Sequence, residues 1–209
     1  MSTDYTIPVF KTFKSTKEKN NFSFPYIFER CYDGVRCYIK KCEDTISIFD
    51  TKNTKINTCS HIEDNPIVKE FFSAYPNGVL EGDLINVDGN SNIIKKIKAK
   101  KTSKEDIKAI ADSVHFCCCD LFIPEKPEMK YIERKSIIVN IINVDNTSLS
   151  DINSFCINGI HIINDEIKCV SIDSIEEIEK LKEKLNDKTL ILKYCGEYLM
   201  GKKSKNIKY

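Results

Sequence analysis

The chain has 209 residues, 41% hydrophobic and 30% charged, with 32 basic against 31 acidic side chains and a formal net charge of +1. That length and apolar content support a sizeable core in a single domain over residues 1–209, and exclude a disordered tail or a disulfide-stapled miniprotein. The balanced charge excludes a globally basic nucleic-acid binder but leaves room for a local basic patch.

In chain order, Tyr26-Ile27-Phe28 and Val35 to Ile39 read as two strands around Asp33-Gly34, a dipeptide that predicts a hairpin turn. Thr45 to Phe49 is a third short strand. Ile62 to Tyr75 reads as one helix with Ile67, Phe71 and Phe72 on one side, ended by Pro76-Asn77-Gly78. Val79 to Val87 is a strand closed by Asp88-Gly89, and a basic stretch of Lys95, Lys96, Lys98, Lys100 and Lys101 follows. The lysines from Lys95 to Lys104 are candidates to bind phosphates beside a nick, and their bland, favoured reading is a solvated loop face. Ser103 is placed to cap a helix with Glu105 and Asp106 in its first turn.

Val114 to Phe122 is the most apolar strand, Tyr131 to Ile142 a helix and Gly159 to Ile163 a further strand. Ser174 with Glu177 forms a capping box ahead of a helix whose buried stripe is Ile175, Ile178, Leu181 and Leu185. Leu190 to Tyr194 is a last strand before a basic tail. Hairpin-connected strands without strict βαβ alternation predict an α+β fold with antiparallel sheets.

The ten cysteines are expected to be reduced, buried small hydrophobes. Met1-Ser2-Thr3-Asp4-Tyr5 has neither the basic start nor the apolar stretch of a secretory signal, so an intracellular protein is expected. No apolar run approaches the roughly 18 residues of a membrane span. No cysteine pair has the spacing of a zinc knuckle, and His61, His115 and His161 lack partners at ligand spacing, so no metal site is expected.

The chemistry lies in Glu29-Arg30-Cys31-Tyr32-Asp33-Gly34-Val35-Arg36. It resembles the Lys-x-Asp-Gly-x-Arg signature of the covalent nucleotidyltransferases: ATP-dependent DNA ligases, RNA ligases and mRNA capping enzymes. Glu29, Asp33, Gly34 and Arg36 match, but Cys31 stands at the lysine position. Later matches follow in family order. Glu81-Gly82-Asp83 resembles an Asp-Gly-Glu strand with its acids exchanged, and Cys119-Asp120-Leu121 resembles Phe-Asp-Leu. Glu133-Arg134-Lys135 falls where ligases carry an Arg-rich helix start. Leu190 to Lys193, Tyr198, Gly201-Lys202-Lys203-Ser204 and Lys208 resemble the ligase closing run, and favour a DNA ligase over a capping enzyme.

The resemblance implies two antiparallel sheets flanked by helices with ATP between them. A lysine would attack the α-phosphate, its amine made nucleophilic by burial and cationic neighbours. It implies that Glu29 meets the adenine amino group, Arg36 the ribose, and Asp83 the ribose or metal. Phe116 would stack on the base in place of the aromatic missing at Cys119. Lys193 and Lys208 would neutralise the phosphates. Lys202, Lys203 and Lys205 are the candidate DNA-phosphate contacts.

Three departures from the family are as informative: Cys31 replaces the nucleophile, Lys188 the late metal-binding Glu, and the chain ends before the family's OB-fold. ATP and Mg²⁺ are therefore expected as cofactors only if the domain is active. The leading expectation is an ATP-dependent DNA ligase-like adenylation domain of replication or repair, with impaired or lost self-adenylation. It would keep nucleotide binding, or weak, phosphate-directed binding of nicked double-stranded DNA. The alternatives are an enzyme working through Cys31 or Lys40, one subunit of a split ligase whose partner protein supplies the OB-fold, and a capping-type nucleotidyltransferase.

Overall fold

A computed structural model describes residues 34–99 and 101–142 continuously, together with strands at 11–12, 26–30, 155–157, 160–162, 190–194 and 207–208. Among the described residues, sixteen elements run in chain order: β1 (Lys11–Thr12), β2 (Tyr26–Arg30), β3 (Val35–Cys42), β4 (Thr45–Asp50), β5 (Lys55–Ile56), α1 (Ser60–Glu63), α2 (Pro66–Ala74), β6 (Val79–Asn86), α3 (Ser91–Ile97), α4 (Lys104–Ser113), β7 (Val114–Phe122), α5 (Tyr131–Ile142), β8 (Phe155–Ile157), β9 (Ile160–Ile162), β10 (Leu190–Tyr194) and β11 (Ile207–Lys208). They form a four-stranded sheet, β1-β11-β10-β2, and a seven-stranded sheet, β5-β4-β3-β6-β7-β9-β8. The α+β class with two sheets and flanking helices holds. Two pairs, β1 with β11 and β7 with β9, are parallel. For β7 and β9 the intervening α5 provides the crossover that parallel pairing needs.

The predicted Asp33-Gly34 hairpin does not form. β2 pairs with β10 in the small sheet, whereas β3 pairs with β4 and β6 in the large one. Gly34 answers a different need: a Cβ there would sit 2.5 Å from the Leu84 carbonyl oxygen, so the chain passes β6 too closely for a side chain. The predicted helix from Ile62 is two helices. Pro66 drives Asn65 out of the helical region, to φ −61° and ψ 132°, and the Asn65 side chain then accepts from the Ile67 N–H as the cap of α2. On α2 the buried side chains are Val68, Phe71 and Phe72.

Part of the basic stretch is also helical, because Asn90 caps α3, and Lys95 and Lys96 lie in its last turn. Ser103 caps α4 as expected, accepting from the Asp106 N–H at 3.1 Å. The helix expected around 175–185 lies outside the described residues.

Alternation along the central strands creates two faces. Cys37, Ile39, Ile48, Leu80, Leu84, Phe116 and Cys118 point towards the helices and join Ile62, Val68, Phe71, Ile97, Ile110 and Ile138 in the core. Arg36, Tyr38, Glu81, Asp83 and Cys117 occupy the alternate positions, and that face carries the polar chemistry.

Candidate nucleotide site

Arg36 on β3 lies opposite Asp83 on β6, with Tyr38 opposite Glu81. Glu81 and Asp83 are two residues apart, so both acids reach the Arg36 side of the sheet. The Arg36 guanidinium donates to Asp83 Oδ2 at 3.1 Å and to Cys119 Sγ at 2.8 Å, and forms an ion pair with Glu81 Oε1. Cys119 Sγ in turn donates to the Glu81 carbonyl at 3.3 Å. Exposure separates the two acids: the Glu81 side chain is 3% exposed, against 14% for Asp83 and 15% for Arg36. Glu81 is a buried anchor beneath the guanidinium, and Asp83 with the guanidinium edge faces outward.

A register shift on β6 between Glu81 and Gly82 brings Cys119 into this group. Glu81 pairs with Asp120 and Gly82 with Cys118, leaving Cys119 as the extra residue of β7. The strands meet so closely there that a Cβ on Gly82 would strike the Cys117 carbonyl oxygen and come within 2.6 Å of the Phe116 ring. Burial acts to lower the Arg36 pKa, but Cys119, Glu81 and Asp83 outweigh it and hold it well above its ordinary value. The group is a fixed cation. Burial pushes the thiols of Cys37, Cys117 and Cys118 well up, and that of Cys59 up to about 12, so these cysteines are protonated packing residues rather than nucleophiles.

Phe116 is fully buried and belongs to the helix-side core, on the opposite face from Arg36. The structure therefore does not bring it together with the other expected site residues. The small sheet carries the second group. Its register places Glu29 and Lys208 each opposite Ile191 of β10, and Lys193 two residues further along the same strand. Cys31, Asp33, Lys188, Lys202, Lys203 and Lys205 lie outside the described residues.

Sequence reading missed Glu81 and Cys119 as partners of Arg36. The signal available was the i, i+2 spacing of the acids on one strand. It also left Arg134 without a role. Arg134 is buried, and donates from Nε to Asp120 Oδ1 at 2.8 Å, from its NH2 group to Asp120 Oδ2 at 3.1 Å, and from its NH1 group to the Met129 carbonyl at 2.6 Å. It ties α5 to β7.

The described residues fit a nucleoside's sugar: a donor fork and a carboxylate, partly exposed side by side, match a pair of ribose hydroxyls. They fit a divalent cation poorly. Both acids already serve Arg36, and no group of three or more metal-ligating side chains occurs among the described residues.

Two sheets that divide the polar residues between them, with helices packed outside the larger, define a nucleotidyltransferase-like fold. The chain belongs to the ATP dependent DNA ligase domain family, whose model matches residues 9–208. Among solved structures it is similar to Pmar-Lig, with a TM-score of 0.68 and 15% identity over 98% of this chain and 46% of that one. It is similar also to the ATP-dependent DNA ligase of bacteriophage T7 in complex with ATP, with a TM-score of 0.63 and 17% identity over 95% of this chain and 67% of that one. Mycobacterial DNA ligase D complexed with ATP and MES gives a TM-score of 0.58 and 12% identity, over 98% of this chain and 60% of that one. The chain spans about half the length of the first of these. No curated protein matches it. No helix among the described residues is long and apolar enough to cross a membrane.

Proposed function

We propose that this chain is a ligase-type adenylation domain that holds a nucleotide between its two sheets and has lost efficient self-adenylation. The observation that carries the binding half is the Arg36–Asp83 pair, exposed at its edge and braced from beneath by Glu81. Arg36 and Asp83 would orient the ribose, with Glu29, Lys193 and Lys208 contributed from the small sheet to the base and phosphates. The loss is carried by Cys31. A thiol at the lysine position offers no amine to form the phosphoramidate link to AMP. Mg²⁺, where the family uses it, supplies charge neutralisation at the phosphates. Here Lys188 replaces one acid of that function.

The nucleic acid in this reading is a nicked duplex, held through backbone phosphates by Lys202, Lys203, Lys205 and Lys208. Cys37, Cys42, Cys59, Cys117, Cys118 and Cys119 are free thiols, which suits an intracellular, reducing compartment. The test is incubation of the full chain with α-labelled ATP and Mg²⁺, followed by denaturing electrophoresis. The protein should retain no label while still binding nucleotide at equilibrium. Label surviving denaturation would overturn the loss of self-adenylation.

A further inference from the structure

β5 ends the seven-stranded sheet, and among the described residues no strand but β4 pairs with it. Its outer edge borders a cavity of about 480 Å³. One wall is the consecutive run from Thr54 to Thr58, and the facing wall holds Ile97, Lys98, Thr102 and Ile107 from the end of α3 to the start of α4. The Thr58 hydroxyl donates across this slot to the Ile97 carbonyl at 2.8 Å. None of Arg36, Glu81, Asp83 and Cys119 lines it, so it is distinct from the nucleotide site.

The strand register aims main-chain groups at this slot. The Asp50 N–H donates to the Thr54 carbonyl at 2.9 Å and Ile48 lies opposite Ile56, so Asp50/Thr54 and Ile48/Ile56 are the hydrogen-bonded positions of the β4–β5 ladder. In an antiparallel pair the residues between such positions turn their N–H and C=O groups the other way. Those of Lys55 and Asn57 therefore point off the outer edge, where no hydrogen bond to them occurs among the described residues. Both residues are exposed, with Ile56 buried between them. On the facing wall Ile107 leaves a large apolar side chain 40% exposed. Lys98 is 44% exposed and held by Asp50 at 3.5 Å, and Asp50 keeps the Lys52 and Thr54 N–H groups when Lys98 turns away. Lys55 is committed elsewhere: burial raises the Glu63 pKa, and Lys55 beside it acts to lower it.

We propose that the β5 edge is a docking site for an extended segment of a partner polypeptide, which joins the sheet as a further strand and sets an acidic side chain on Lys98 and an apolar one on Ile107. Donors and acceptors that alternate along the edge select a peptide backbone, which carries both. A phosphodiester backbone accepts from the N–H groups but has nothing to donate to the carbonyls. Size agrees with this occupant. A strand residue fills roughly 160 Å³, from its rise and the strand and sheet spacings, so the cavity takes about three. The α3–α4 wall bounds the slot, which leaves room for one strand and not for the edge of a second sheet. The site stands independently of the nucleotide and nucleic-acid readings above.

The probe is a short fluorescein-labelled peptide of alternating valine and glutamate, titrated onto the full chain by anisotropy. Two copies are compared with it, one N-methylated at the valines and one at the glutamates. Only one set of amides faces β5, so one copy should bind roughly five- to hundred-fold more weakly and the other close to the parent. A copy with lysine in place of glutamate should also bind more weakly. Asn57→Pro removes one outward N–H without touching the β4 ladder, and should weaken binding of the parent peptide by roughly two- to ten-fold. Should that variant fail to fold, Ile107→Glu, at an exposed position, should weaken it as well. Hydrogen exchange should find the Lys55 and Asn57 amides fast in the free chain and slowed by the peptide. Both methylated copies binding as tightly as the parent would reduce the contact to charge and overturn the added strand, as would a wild-type chain that binds none of the peptides. Slowing of those amides by a nicked duplex and not by peptide would give the edge to nucleic acid. Self-association that Asn57→Pro abolishes would give it to a second copy, and either result overturns the partner peptide.

Discussion

Arg36 faces two acids whose roles differ because their exposure differs. Glu81 is buried, so Glu81→Leu removes the buried partner of Arg36 and leaves the guanidinium to Asp83 and Cys119, a change that should cost about 1–3 kcal/mol. Asp83 sits at the rim, where water screens the pair, and its replacement should cost less than about 1 kcal/mol of stability. Nucleotide affinity should run the other way. Asp83→Asn removes a charged acceptor facing the ligand, worth about 1.5–3 kcal/mol for a hydrogen bond to a charged group, or roughly ten- to hundred-fold in Kd. Urea unfolding and equilibrium ATP binding of Glu81→Leu and Asp83→Asn test the pair together. Equal stability losses in both variants would mean that Asp83 is as structural as Glu81. Gly82 marks the same point from the backbone, since any side chain there must displace Cys117 and Phe116 of β7.

At the scale of elements, two polar contacts decide how strands and helices are joined. Arg134 and Asp120 lie 14 residues apart and both are buried, so Arg134→Leu should destabilise by about 3–5 kcal/mol by leaving Asp120 unpaired. The double change Arg134→Leu/Asp120→Leu should recover most of that loss in thermal unfolding, because an apolar pair carries no desolvation cost. Asp50 closes the β4–β5 turn. Burial alone would raise its pKa, but the Thr54 and Lys52 N–H groups and Lys98 lower it below its ordinary value. Its stabilisation is therefore complete above the ordinary aspartate pKa of about 4, and is lost as pH falls through the lowered folded value. Asp50→Asn should cost about 1 kcal/mol near neutral pH, and the difference from wild type should vanish on acidification. A gap that persists at low pH would assign the effect to packing. Elements with their own periodicity or caps are legible from sequence: α4 through Ser103, α5, and the long strands β6 and β7. The Asp33-Gly34 reading failed because a dipeptide signals a local turn but not which sheet each flanking strand joins. Reading one helix from Ile62 failed for a local reason, because Asn65-Pro66 carries its own helix-start signal inside the apolar pattern. Two-residue strands such as β1, β5 and β11 have no sequence signature, because only their partners make them strands. The site shows the same division. Motif order located Arg36 and Asp83, whereas the contacts of Arg36 with Glu81 and Cys119 span 45 and 83 residues and arise only from register.

Across the whole molecule, ligase chemistry needs both sheets, a nucleophile and compensation of the triphosphate charge. The described half of the site is already internally balanced, with Arg36 engaged by Glu81, Asp83 and Cys119. Restoring only the nucleophile therefore leaves the metal side unchanged. In the proposed reading Lys188, just before β10 in sequence, takes the place of the family's metal-binding Glu and would set a cation where a divalent cation has to approach. Like charges about 4 Å apart repel by on the order of 1–4 kcal/mol at dielectric constants between bulk water and a protein surface. That corresponds to roughly five- to several-hundred-fold in an equilibrium or a rate. Cys31→Lys alone should thus form little AMP adduct in the labelled-ATP assay. Cys31→Lys/Lys188→Glu should form more than either single change, since it restores the amine and reverses the misplaced charge together. The comparison is informative in both directions. Equal adduct in the single and double variants would locate the whole defect at Cys31 and remove any role for Lys188. No adduct in either, with ATP still bound, would place the remaining defect outside both positions.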